Sequence, residues 1–166
     1  MKRIVAILMI FALFMLCACS NETQPADTEK QTQPQTEAEK IVGASATNKD
    51  GSFAVSLDKY AYDADKDTIN VILDNNSDTY EYSCSEKVIL EQFDETSGEF
   101  VSAGEDQVYD DLLYFLTAKT SDSFSFVLSD KFPDFAPTKT TKCRLGFVIE
   151  QNSGKKETIY VNVDIS

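Results

Sequence analysis

From Phe53 onward, apolar and polar side chains alternate with period two in run after run, and nothing else in the chain restricts its fold as strongly. Phe53, Val55 and Leu57 alternate with Ala54, Ser56 and Asp58, and Tyr60 and Tyr62 continue the run. Asp63–Asp67 reads as a turn, followed by Ile69, Val71 and Leu73 in alternation. Tyr80–Phe93 is long and β-rich, with a kink expected near Ser85-Glu86. Phe124, Phe126 and Leu128 share a face, as do Cys143, Leu145, Phe147 and Ile149. Ile159, Val161, Val163 and Ile165 form the cleanest run. Period two sends successive side chains to opposite faces, so each run has one face to bury.

Turn chemistry separates the runs: Asn75-Asn76-Ser77-Asp78, Thr96-Ser97-Gly98 and Asn152-Ser153-Gly154-Lys155. Phe132–Pro137 reads as a loop, because each Pro removes a ladder donor. About seven strands, with turns every 8–12 residues or so, predict an all-β antiparallel sandwich over residues 52–166. Asp110–Leu116 fits either one helical turn or a strand buried on both faces. No segment carries a convincing amphipathic helical pattern.

The N-terminus has a different grammar. Lys2 and Arg3 precede the uninterrupted apolar run Ile4–Phe14, and Leu16-Cys17-Ala18-Cys19 closes it. The run is short of the roughly 20 residues a membrane span needs. A basic start, an apolar middle and small residues at the end make a secretory signal. The final four residues resemble the lipobox of bacterial lipoproteins. That resemblance implies residues 1–18 as a signal peptide, lipidation of Cys19, and anchorage on the extracytoplasmic face of the cell membrane. Two or more acyl chains suffice for a stable anchor where one does not. An ordinary signal peptide or a retained N-terminal helix is the alternative.

Residues 19–51 read as the lipidated Cys and a disordered linker. Ser20–Lys40 is mostly Gln, Thr, Glu, Pro and Ala, without an aromatic residue, and buries too little apolar area to offset ordering.

The 15 basic residues include Lys2 and Arg3, so the mature chain carries 15 − 2 = 13 against 28 acidic, net −15. Such a surface repels nucleic acid and anionic headgroups and suits a cationic partner, although solubility also explains it. The chain has no His, which removes His-based dyads, His general bases and nearly all zinc sites. No catalytic residue, metal or cofactor is expected. Asp63, Asp65 and Asp67 have hard-cation chemistry but lack the rest of a calcium loop, and read as a solvated acidic turn. Tyr80, Tyr82, Tyr109 and Tyr114 read as packing rather than as a contact surface.

Residues 53–166 resemble the bacterial Ig-like domains of surface lipoproteins. The likeness rests on Tyr60 and Tyr62 before a turn, Ile69-Asn70-Val71-Ile72-Leu73 running into Asn75-Asn76-Ser77, Leu90-Glu91-Gln92, and Lys142-Cys143-Arg144-Leu145. It implies a non-catalytic binding or structural module with an extracytoplasmic protein partner. An Ig-fold peptidase inhibitor is the alternative, with Phe132, Asp134 and Phe135 as its presented loop; the same two Phe could instead plug the sandwich end. In such a sandwich the third and penultimate strands are neighbours, so Cys84 and Cys143 form either a disulfide or two buried thiols.

Overall fold

The computed structural model describes residues 43–106 and 112–166. In chain order its strands are β1 Ser45–Thr47, β2 Phe53–Leu57, β3 Ala61–Tyr62, β4 Thr68–Asn75, β5 Tyr82–Asp94, β6 Glu99–Gly104, β7 Leu113–Leu116, β8 Ser121–Val127, β9 Thr141–Gln151 and β10 Lys156–Ile165. One helical turn, α1 Leu128–Lys131, follows β8. The strands form two packed sheets. One has the order β1-β2-β4-β8; the other has the order β3-β10-β9-β5-β6, with β7 also paired to β5.

Alternation builds the core as expected. Phe53, Val55 and Leu57 of β2 and Ile69, Val71 and Leu73 of β4 are buried. So are Leu145, Phe147 and Ile149 of β9 and Ile159, Val161, Val163 and Ile165 of β10. Each such chain contributes about 1.5–3 kcal/mol of burial free energy. The Phe53 and Tyr82 rings meet at 4.9 Å and fix which ends of the two sheets coincide.

Three features depart from the sequence reading. Tyr60 and Tyr62 do not continue the first strand. Asp58 accepts bonds from the Asn70 amide, the Asn70 side chain and the Tyr62 hydroxyl, which ends β2. The chain then crosses to the other sheet, where β3 pairs parallel with β10, so the sandwich is not wholly antiparallel. The domain also starts before residue 52. Ser45–Thr47, expected within the linker, pairs antiparallel with β2, and Asn48 is buried. Gly43 packs so close to Leu57 that a Cβ there would stand 1.7 Å from the Leu57 carbonyl oxygen. The chain therefore enters at the Leu57 end. Finally, Leu128 leaves the β8 strand for α1. Residues 1–18, read as a signal peptide, Cys19, most of the expected linker and Tyr109 lie outside the described residues.

The kink near Ser85-Glu86 is present. Between Cys84 and Val88 the β5–β9 register slips, so four steps on β5 match two on β9, from Ile149 to Phe147. Beyond the slip β5 pairs with β6; before it, with β7. The two run in the same direction along one edge of β5.

Candidate binding surface

Phe132 and Phe135 do not present a loop. Both are buried, and the Phe135 amide donates to the Phe132 carbonyl at 3.0 Å. Asp134 alone of the three is exposed. The rings plug the sandwich end, since burying two Phe outweighs any preference of this Pro-bearing segment to extend.

Cys84 and Cys143 are free, buried thiols. Their strands are neighbours, as expected, but Cys84 faces Ile149 and Cys143 faces Gln92. Six residues of β9 separate those positions, about 20 Å at strand rise, and a disulfide needs Cα atoms about 4.4–6.8 Å apart. Burial pushes both thiols up to about 12.

The acidic turn is satisfied internally. Asp63 accepts from Lys66 and the Asp65 amide, and Asp67 from Lys59 and the Asp63 amide. No cluster of metal-ligating side chains stands among the described residues. Tyr82 is core, whereas Tyr80 is exposed.

The stretch read as either a helical turn or a strand buried on both faces is, over Leu113–Leu116, the strand β7, and only one of its faces is buried. Its alternation is apolar on both faces. Tyr114 and Leu116 point inward: the Tyr114 ring stacks on Phe124 at 5.2 Å and its hydroxyl donates to Glu86 at 2.6 Å. Burial and the Glu86 carboxylate raise the Tyr114 phenol well above its usual range. Leu113 and Phe115 point outward and are 49% and 76% exposed, beside Leu112 at 51%. Their partners across the ladder are Ser85 and Ser83, too small to cover them. Among the described residues, the other exposed large apolar chains, Tyr60, Tyr80 and Val101, are not part of this run. Isolated exposed apolar residues are ordinary, whereas a contiguous group on one edge marks a contact surface.

Main-chain geometry adds to the exposure. The Glu86 amide donates to the Leu112 carbonyl. By the antiparallel alternation, Tyr114 and Leu116 then bond toward β5, and the N–H and C=O of Leu113 and Phe115 face the open edge. The strand is held firmly: Asn75 Nδ2 donates to the carbonyls of Tyr80, Leu116 and Thr117 at 2.8–3.1 Å. Beside Phe115 lies a cleft of about 320 Å³, lined by Glu81, Ser83, Thr117, Glu150 and Asn152 among others. Ser83 stands in register with both Phe115 and Glu150, so all three share the outer face. This end of the domain is opposite the Leu57 end, where the chain enters.

The outer face has a second aromatic group, already closed. The Arg144 guanidinium lies 4.4 Å from the Phe100 ring centroid and 4.1 Å from that of Tyr160, and its Nε donates to Glu91 at 2.5 Å. Tyr160 can lie flat there because Gly146 stands beneath it; a Cβ would be 2.8 Å from the ring. No family model, no curated protein and no solved structure significantly matches the chain.

Proposed function

We propose that the chain is a membrane-anchored extracytoplasmic lipoprotein whose sandwich is an Ig-like, non-catalytic binding module with the β7 edge as its contact surface. The strand orders support the Ig-like reading: β2-β4-β8 and β10-β9-β5-β6 follow the A-B-E and G-F-C-C′ orders of immunoglobulin-type sheets. The Leu16–Cys19 lipobox supports the anchor. A tether upstream of Gly43 joins the end that the apolar edge does not occupy. The observation that carries the binding reading is the exposure of Leu112, Leu113 and Phe115 together on an edge strand that is itself firmly held. The peptidase-inhibitor reading loses its loop, because Phe132 and Phe135 are buried.

Two experiments test the proposal in intact cells. Metabolic palmitate labelling should be lost in Cys19→Ala; retained label overturns the anchor. A photo-crosslinking residue at Phe115 should give a discrete protein adduct, and one at exposed Ser125 on the other sheet should not. Equal yields at both positions overturn the contact surface.

A further inference from the structure

We propose that the β7 edge takes up an extended, basic segment of a protein partner as an added strand. A partner arginine or lysine would lie over the Phe115 ring toward Glu81 and Glu150. The inference rests on the binding-module reading and specifies the partner's chemistry.

Main-chain geometry calls for a strand. Leu113 and Phe115 turn both their amides and their carbonyls to the open edge, and the same two residues expose their side chains on the outer face. An extended peptide satisfies those main-chain groups while its side chains cover the apolar ones, which is how strand addition combines affinity with specificity.

The outer face itself suggests the charge. At the Leu57 end, aromatic rings and a carboxylate enclose the chain's own arginine: Phe100, Tyr160 and Glu91 around Arg144. At the opposite end, Phe115, Glu81 and Glu150 border the cleft, and no cation lies over Phe115 among the described residues. Lys156, the partner of Glu150 in register on β10, reaches it at 3.0 Å on the same face, while Glu81 makes no ion pair among the described residues. A cation over an aromatic face with a carboxylate beside it is favourable, and more so once water is displaced. The chain's net charge of −13 attracts the same partner at longer range.

A second copy fits less well. Two copies of net charge −13 repel one another, whereas a basic segment is attracted.

The test uses the purified full-length chain in non-ionic detergent micelles. The probe is a fluorescent, end-blocked hexapeptide of alternating arginine and valine, followed by anisotropy. Saturable binding is expected, weakening several-fold as salt is raised. Phe115→Ser, Glu81→Gln and Leu113→Pro should each weaken it several-fold, and Ser125→Ala should not. Leu113→Pro removes an amide that faces the open edge, together with the exposed Leu side chain, at a position where Pro is tolerated. The glutamate–valine peptide and a peptide N-methylated at alternate residues should not bind. Absence of binding by the arginine peptide, equal binding by the glutamate peptide, or equal binding by the N-methylated peptide each overturns the proposal. So does a dimer in sedimentation that Phe115→Ser dissolves, which would make the occupant a second copy. If the peptide fails while the in-cell adduct at residue 115 persists, the partner chemistry falls and the binding-module reading stands.

Discussion

Lys131 and Asp106 form a buried ion pair at 3.1 Å, their side chains 7% and 0% exposed, against the bulge of β5. The pair accounts for main-chain groups that the register slip takes off the ladder. Asp106 accepts the Val88 amide at 3.0 Å, and Lys131 donates to the Glu86 carbonyl at 3.2 Å. The Lys87 amide goes to the Ser85 hydroxyl. Lys131→Met or Asp106→Asn alone should lower stability by about 3–5 kcal/mol, since each breaks a buried, hydrogen-bonded ion pair. Lys131→Met with Asp106→Leu should recover most of this, less about 1–3 kcal/mol for the orphaned Val88 amide. Urea unfolding of the four proteins decides it; simple additivity of the single losses would sink the account.

The Phe132 plug makes an asymmetric prediction. Phe132→Ala should cost about 3–5 kcal/mol, as for other buried Phe. Asp134→Ala, two residues on and exposed, should stay within about 0.5 kcal/mol. A thermal melt in which Phe132→Ala leaves Tm unchanged would show that the ring is not part of the core.

Neither Cys84 nor Cys143 should react with iodoacetamide in the native protein at pH 8, because burial keeps both as thiols well above that pH. Both should be labelled in urea without reductant. Labelling that requires prior reduction would mean a disulfide and a different β5–β9 register.

Acid should loosen the β2–β4 connection. Burial pushes the Asp58 carboxyl up, but hydrogen bonds from Asn70 and Tyr62 outweigh it and hold the group below 3.8. A lowered folded value means that the stabilisation is full above 3.8 and disappears as pH falls through the folded value. Asp58→Asn should therefore be less stable near neutrality and flatten the acid limb of the stability–pH curve. An unchanged acid limb in Asp58→Asn would exclude Asp58 as the titrating group.

Truncation should separate linker from domain. A chain beginning at Gly43 should melt with the full-length protein. One beginning at Gly51 should melt several degrees lower, because it lacks β1 and the buried Ala44 and Asn48. Equal Tm values for the two would show that β1 contributes nothing to stability.

Alternation alone determined the long strands, their inward faces and the sandwich they imply, because a residue's face in a strand depends only on its parity. Turn residues likewise marked the β5–β6 and β9–β10 hairpins, and Ser85-Glu86 marked the bulge. Short elements were legible locally only as alternatives, as for β7, or not at all, as for β1. β1, β3 and β7 have two to four residues each, and what makes them strands is a neighbour far away in sequence: β2, β10 and β5. Register was also tertiary. Cys84 and Cys143 lie on adjacent strands in agreement with their pattern, yet the β5–β9 alignment holds them at opposite ends. Burial of an apolar run depended on what the second sheet could reach. Phe132 and Phe135 found the open sandwich end and closed it. Leu113 and Phe115, equally apolar in sequence, lie on the outer face of an edge strand with only serines beside them, so the surface most suited to a partner became visible only once both sheets were in place.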